Sequence, residues 1–440
     1  MKNLSKRKIV VAMSGGIDSF VAATLLKRVG VDELRSSSRT SSLERVRKNF
    51  NSFGFANARV FVDELRSSSR FANARVFVDE LRSSSRFANA RVFDVVGVFM
   101  KLTDLPRFKE NEMRAKKVAK ILGIPLLVLD LRREFKERVI NLFLKEYKLG
   151  LTPNPCIVCN KEIKFGLLLE KALSLNADCI ATGHYARIRK FAVCEQWANS
   201  KRIRYSLMTA KDKEKDQSYF LWQLNQKQLK HILFPIGDYT KTQVRIISKK
   251  FKLPVLKIPE SQEICFIKTT INDFLKKYLK PKPGQIIYST PKVKYRVIGR
   301  HQGLAFYTIG QRKGIKLPGG PYWVLDKDLK KNALIVTKNE KDLYKKELIA
   351  KKVNWISGLQ PTLRPPARQR RAGPCPKLPL KIKAKIRYRH EPASAVITRS
   401  LKSKVSLRFT QPQRAITPGQ SVVFYKGQEV LGGGVISESY

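Results

Sequence analysis

The run KIVVAMSGGIDSFVAATLLKRVG, Lys8 to Gly30, constrains this chain more than any other stretch. KIVVAM is continuously apolar and rich in β-branched residues, which suits a strand buried on both faces. DSFVAATLLKRVG carries its apolar residues at helical spacing and ends on a glycine, as helices do. Between them, Gly15 and Gly16 let the backbone turn tightly and approach a ligand closely. A buried strand feeding a helix in this way belongs to a parallel sheet covered by helices. The sequence that follows agrees. Strand-type DVVGVFM (94–100), PLLVLDL (125–131) and ADCIAT (177–182) alternate with helix-type ENEMRAKKVAKILGI (110–124) and REFKERVINLFLKEYKLG (133–150).

After about residue 280 the texture changes. PKPGQIIYS, KYRVIGRHQGLAFYTIGQRKGI, PYWVLDKD and NALIVTKN are short β-type runs broken by Gly, Pro and Asn. KIKAKIRYR, SAVITR, KVSLRFT and QSVVFYKGQEVLGGGVI continue that pattern beyond a Pro- and Arg-rich loop at 359–379. The expected architecture is α/β: a parallel-sheet domain at 1–275, a small β-rich domain at 276–342 and a C-terminal β-barrel at 343–440.

An insertion interrupts the first domain. FANARVFVDELRSSSR stands at 55–70 and again, unchanged, at 71–86, with partial copies at 31–39 and 87–93. Identical 16-residue copies point to a tandem duplication rather than to a solenoid, whose repeats are longer and diverge. Residues 31–93 read as a passive surface loop, which the fold tolerates cheaply. They carry about +5 of the formal net charge of +53, so the main body is basic. A charge of that size fits either a polyanionic partner such as nucleic acid or a lysine-biased genome. No apolar run is long enough to span a bilayer, and the N-terminus enters its glycine loop too soon for a signal peptide. Six sparse cysteines fit a reducing cytoplasm, so those that matter are thiols, ligands or transient disulfides.

The loop SGGIDS, Ser14 to Ser19, sits where free N–H groups at a helix start bind anions. Ser14 and Ser19 add hydroxyl donors. Asp18 is a carboxylate beside phosphate and calls for a cation, most simply Mg²⁺. The loop lacks the GxxxxGK[ST] spacing of P-loop kinases. It resembles the PP-loop of ATP pyrophosphatases, SGGxDS, which split ATP between its α and β phosphates.

TPNPCIVCN places Cys156 and Cys159 three positions apart behind two prolines. Taken alone, a CxxC is half a zinc site, a redox disulfide, an iron–sulfur ligand pair or a nucleophile with a neighbour. Its company narrows the choice. AMSGGIDS, GVFMK, TPNPCIVCNKEIKFG, ATGHYARI, KDQSYFL, SQEICFI and FYTIGQRKG, in this order, resemble the bacterial tRNA-uridine 2-sulfurtransferases, or tRNA-specific 2-thiouridylases. The likeness covers nearly all of the chain outside 31–93 and the 359–380 loop.

The resemblance implies an enzyme that uses ATP to adenylate O2 of the wobble uridine in tRNAs for Lys, Glu and Gln. A persulfide then delivers sulfur to C2, and AMP leaves. It implies Cys159 as the nucleophile and Cys265 as the persulfide carrier, with a transient disulfide between them. ATP would meet Ala12, Met13, Ser14, Gly15, Gly16, Ile17, Asp18, Ser19, Met100 and Gly183, with Mg²⁺ reached by Asp18 through the nucleotide. tRNA would meet Asn154, Pro155, Cys156, His184, Lys215, Asp216, Gln217, Arg387, Tyr388 and Gln420. The sulfur would come from a persulfide-carrying partner, a cysteine desulfurase or a sulfur-relay protein. Some relatives carry Asp where this chain has Cys156, so a second reading stays open: Cys156, Cys159 and Cys265 as ligands of a [4Fe–4S] cluster. Another PP-loop synthetase is the further alternative. Cys179 reads as core, and Cys194, Cys375, His231 and His301 receive no functional role.

Overall fold

A computed structural model describes residues 7–36, 93–194, 201–254, 264–289, 296–358, 360–361, 377–401 and 403–440. Most of the 31–93 insertion, the Pro- and Arg-rich loop and Cys375 lie outside the described residues.

The first strand, β1 (Arg7–Ala12), runs into helix α1 (Ile17–Ser36) through the glycine loop. There follow β2 (Phe93–Lys101), α2 (Pro106–Leu122), β3 (Leu126–Asp130) and α3, which runs through Arg132–Phe135, a π-helical Lys136–Ile140 and Asn141–Lys148. Helix α4 is also composite: Pro155–Cys159, a π-helical Asn160–Leu167, then Leu168–Ser174. β4 (Cys179–Ala181) and β7 (Ile232–Leu233) complete a five-stranded sheet in the order β3-β2-β1-β4-β7, whose pairings are all parallel.

Alternation along β1 builds two cores. Val10 and Ala12 pack with Val96, Val98 and Met100 on one face. Ile9 and Val11 pack with Val95 and Phe99 on the other. Burial on both faces explains why the strand reads as continuously apolar. β3 differs from the strands beside it. It is the sheet edge, and its Leu127 and Val128 stay 41% and 40% exposed.

The hairpin β5 (Ala186–Cys194) and β6 (Lys201–Thr209) interrupts the α/β chain and leaves its sheet. It joins the C-terminal sheet instead, where Leu207 and Met208 pair with Val430 and Glu429. Short β-runs inside the α/β part therefore serve another unit, a partition that the sequence reading did not anticipate. Helices α5 (Lys241–Lys250) and α6 (Ile271–Tyr278) close this part of the chain, each started by a threonine in a capping box.

The middle unit is a four-stranded sheet ordered β10-β11-β8-β9, from β8 (Gly284–Tyr288), β9 (Arg296–His301), β10 (Trp323–Asp328) and β11 (Ala333–Thr337). The C-terminal strands are β12 (Tyr344–Trp355), β13 (Leu380–Lys385), β14 (Ala393–Leu401), β15 (Lys404–Arg414), β16 (Ser421–Lys426) and β17 (Glu429–Ser439). They run β12-β15-β14-β13-β16-β17, and β17 pairs back to β12. Closure removes the sheet edges around a core of Leu348, Ile397, Leu407, Phe409 and Phe424.

Candidate active site: an anion loop beside a cysteine pocket

The loop after β1 is held by its own serines. Ser14 N donates to Ser19 Oγ at 3.1 Å, and Ser19 Oγ donates to Gly16 O at 2.8 Å. Met13 N extends the sheet to Val98 O at 2.8 Å. Gly15 has φ +88°, and a Cβ there would run into the side chain of Asn111 on α2. Only glycine fits both demands. Ile17 and Asp18 then open α1, leaving the N–H groups of its first turn as an anion site. Gly183, after β4, is packed against the same turn: a Cβ on it would lie 2.6 Å from Ser19 N. Met100 ends buried near the close of β2.

Asp18 is already engaged. Its Oδ1 accepts from Tyr185 Oη at 2.8 Å and from Lys241 Nζ at 2.8 Å, and Oδ2 accepts from Lys241 Nζ at 2.9 Å. Lys241 is buried at the first position of α5. Sequence reasoning missed Lys241 and Tyr185. The signal available was a lysine straight after the capping Thr240, where the helix dipole disfavours a cation. Three of a carboxylate's roughly four acceptor positions are used by these contacts. Backbone N–H groups, an ammonium and a carboxylate suit a polyphosphate carrying a divalent cation, beside the Ser14 hydroxyl that donates to Ser19 Oγ at 3.3 Å.

The second half of the site is built on α4. Asn154 caps it, accepting from Cys156 N at 3.2 Å, and Pro155 takes the first helical position. Cys156 is exposed, Cys159 buried and Cys265 half-buried in the turn before α6. The three thiols act on one another electrostatically: Cys159 and Cys156 both raise the Cys265 thiol. Burial is the larger cause, pushing Cys159 up to about 11 and Cys265 up to about 12. Burial also pushes the Cys156 thiol up, although its surface is open to solvent. Opposing this in all three is the nearby Lys164 ammonium. None of the three is in a disulfide. Among the described residues no three His, Cys, Asp or Glu side chains converge to hold a metal ion. The cluster reading therefore gains nothing from this arrangement.

Helix α2 ties the two halves together. Its Arg107 Nη2 donates to the Cys265 carbonyl and to Ile267 O, the latter at 2.9 Å. Its Asn111, one turn later, abuts Gly15. Four residues of helix rise about 6 Å, so the anion loop and the Cys265 turn rest on one short stretch of one helix face. A second bridge runs through residues 183 and 184. Gly183 touches the loop, while His184 is buried between Phe165 and Phe234, its Nδ1 2.7 Å from Thr182 Oγ1 and its Nε2 3.4 Å from Lys164 Nζ.

The other expected site residues fall around this centre. Gln217 is bound to Tyr185 both ways: Tyr185 N donates to its Oε1 at 3.0 Å, and its N donates to Tyr185 O at 2.8 Å. Asp216 is buried, accepting from Ala210 N at 2.9 Å and from Ser218 Oγ at 2.7 Å. Burial outweighs these bonds and raises its carboxyl. Lys215 is half-exposed beside it. Arg387 donates to Ala415 O and Thr417 Oγ1, both at 2.6 Å. The Tyr388 ring lies 4.4 Å from that of Phe220, with the Lys385 ammonium 5.6 Å from its centre. Gln420 Nε2 donates to Thr152 O at 2.7 Å, and Thr152 N donates to Pro418 O at 3.0 Å. The barrel thus pins the TPNPC loop directly. His231 and His301 bond backbone carbonyls, Asp178 O at 2.9 Å and Asn332 O at 3.0 Å, as structural residues do.

A parallel α/β sheet with an SGGxDS loop at the carboxyl end of its first strand, followed by two β modules, defines an α/β protein of the PP-loop kind. Three family models cover most of the rest of the chain: a tRNA methyl transferase HUP domain at 78–269, a tRNA methyl transferase PRC-barrel domain at 272–338 and an aminomethyltransferase beta-barrel domain at 345–436. A tRNA-specific 2-thiouridylase MnmA 2 of Thermoanaerobacter sp. (strain X514) is 39% identical, over 98% of this chain and 97% of that protein. A tRNA-specific 2-thiouridylase MnmA of Clostridioides difficile (strain 630) is 37% identical, over 98% of this chain and 99% of that protein. This chain belongs to the tRNA-specific 2-thiouridylase family. A solved U34-tRNA thiolase NcsA from Methanococcus maripaludis, with its [4Fe-4S] cluster, is 13% identical at a TM-score of 0.28, over 60% of this chain and 63% of that one.

Proposed function

We propose that the chain is an ATP-dependent tRNA-uridine 2-sulfurtransferase acting on the wobble uridine of tRNAs for Lys, Glu and Gln. One observation carries the reading: on α2, Asn111 abuts Gly15 of the anion loop and Arg107 bonds the Cys265 turn, where the charge of Cys159 is felt. Activation of an oxygen and delivery of sulfur need those two sites side by side. ATP, held at Ala12–Ser19, Met100 and Gly183, supplies a leaving group for uridine O2. Mg²⁺ would reach Asp18 through the phosphates, with Lys241 sharing the carboxylate. Cys265 carries the persulfide and Cys159 is the nucleophile.

Asn154, Pro155 and the exposed Cys156, at the start of α4, line the target base. Lys215 and Tyr388 serve as direct RNA contacts, a cation for phosphate and a ring for stacking. Asp216, Gln217, Arg387 and Gln420 act through the segments they hold, and His184 through Lys164. The sulfur comes from a persulfide-carrying protein in the cytoplasm. The units are 1–275, 276–342 and 343–440, with the 186–209 hairpin lent to the last. Among the described residues no helix is long and apolar enough to cross a membrane.

Incubation with unmodified tRNA, Mg-ATP and a persulfide donor tests the reading. AMP and 2-thiouridine should appear together in nucleoside mass spectra. Amide formation, or AMP release with no sulfur incorporated, would refute it.

A further inference from the structure

The cysteine pocket holds a positive charge that no expected site residue accounts for. Lys164 is half-buried, and among the described residues no carboxylate pairs with its ammonium. Its ammonium lies 3.4 Å from His184 Nε2, and its charge acts on the thiols of Cys156, Cys159 and Cys265, opposing the burial that raises them. His184 is kept neutral by burial, and by the lysine itself. An ammonium has only donors, so His184 Nε2 accepts, its proton sits on Nδ1, and Nδ1 donates to Thr182 Oγ1. The imidazole thus fixes the lysine without neutralising it. A carboxylate in that place would have cancelled the charge.

The helix is bent to this purpose. Lys164 lies five residues after Cys159, and in an α-helix that would turn it about 140° away. The stretch Asn160–Leu167 is π-helical instead. Its i→i+5 turns bring residue 164 back toward residue 159. Gly166 permits that turn at close quarters, since a Cβ there would lie 2.9 Å from the Lys161 carbonyl.

We propose that Lys164 is the counter-ion that holds anionic sulfur during its passage between Cys265 and the substrate, with His184 positioning it. The inference rests on the sulfur-transfer reading above. In that step the terminal sulfur of the Cys265 persulfide, as its anion, forms a bond to C2 of the activated uridine, and the C–O bond to AMP breaks. Cys159 loses its proton to solvent and, as the thiolate, attacks Cys265 Sγ. The S–S bond to the transferred sulfur breaks, its electron pair stays on the 2-thio group, and a Cys159–Cys265 disulfide remains. An external thiol reductant reopens it. Negative charge resides on the persulfide before the first bond forms and on the Cys159 thiolate before the second, and Lys164 is the cation for both.

Three variants test this: Lys164→Met, Lys164→Arg and Gly166→Ala. Alkylation of Cys159 and Cys265 by iodoacetamide at pH 8, read by peptide mass spectrometry, needs neither ATP nor tRNA. Lys164→Met should slow it about 10-fold, and Lys164→Arg should stay within about 3-fold of wild type. In single-turnover reactions Lys164→Met should release pyrophosphate at the wild-type rate but incorporate sulfur at least 10-fold more slowly. Gly166→Ala should slow sulfur incorporation with the charge still present. Wild-type alkylation and transfer rates in Lys164→Met would overturn the inference. So would equal losses in the Met and Arg variants, or an equal loss of pyrophosphate release and sulfur transfer. A wild-type enzyme that incorporates no sulfur would defeat the proposed function instead, and the alkylation result would still stand.

Discussion

Gly419→Ala is the most informative single change outside the pocket. Gly419 has φ +91°, and a Cβ there would lie 2.6 Å from Thr152 N and 2.9 Å from Leu151 Cβ. Left-handed backbone costs a non-glycine residue about 1–2 kcal/mol. Overpacking against backbone adds about 1–3 kcal/mol. The total is about 2–5 kcal/mol, of which only the overpacking part is relieved when the neighbouring loop moves; that part is of the size of what docks the loop. That loop is tied to the barrel by Thr152 N to Pro418 O and Gln420 Nε2 to Thr152 O, each worth about 1 kcal/mol net. The cheaper response is therefore for residues 151–154 to come off the barrel, with the fold left intact. Gly427→Ala is the control: φ is +58° and nothing lies within 4 Å of the added Cβ, so only the backbone term applies. Hydrogen exchange at the Thr152 amide, urea denaturation and thiolation rate read the two variants. Gly419→Ala should lose Thr152 protection and at least 10-fold in thiolation. Gly427→Ala should lose about 1–2 kcal/mol of stability alone. Wild-type Thr152 protection in Gly419→Ala would refute the claim that the barrel positions this loop.

The remaining expectations concern charge and protonation. Cys159 is pushed up to about 11 and Cys265 up to about 12, so alkylation of the free enzyme should still be rising at pH 10; a plateau near pH 8.5 would contradict their burial. The folded state favours the protonated thiols. The stability they contribute is present below the ordinary thiol range and is lost as pH climbs toward those values, so urea midpoints should fall above pH 9. Asp18→Ala should abolish AMP release while leaving tRNA retention on a filter near normal; unchanged AMP release removes Asp18 from the nucleotide site. Lys241→Met leaves Asp18 with Tyr185 as its remaining named donor and should raise the KM for ATP at least 10-fold; an unchanged KM would make the ion pair purely structural.

The parts of the fold that were legible share one cause. β1, β2 and the helix α1 between them carry apolar periodicity because the parallel sheet buries both faces. SGGIDS was legible because a tight anion loop tolerates few residue types. What escaped was set by contacts distant in sequence. The 186–209 hairpin has the alternation of any exposed hairpin, and nothing in it names β17 as its partner. Lys164 and Lys241 are two lysines in a lysine-rich chain; only folding brings the charge of one to act on the thiols and places the other on Asp18. The π turn is equally silent, since KEIKFG reads as ordinary helix. Asp216 and Arg387 sit in motifs that suggest RNA contact, yet burial gives their bonds to the protein itself.

The central claim is that Cys159 and Cys265 work as a pair beside the nucleotide loop. One turnover on tRNA, quenched with acid and mapped without reduction, tests it directly. A Cys159–Cys265 cross-linked peptide should accumulate in step with 2-thiouridine, and it should be missing when ATP is left out. Thiouridine formed with both thiols still free, or with Cys265 joined to Cys156, would contradict the account.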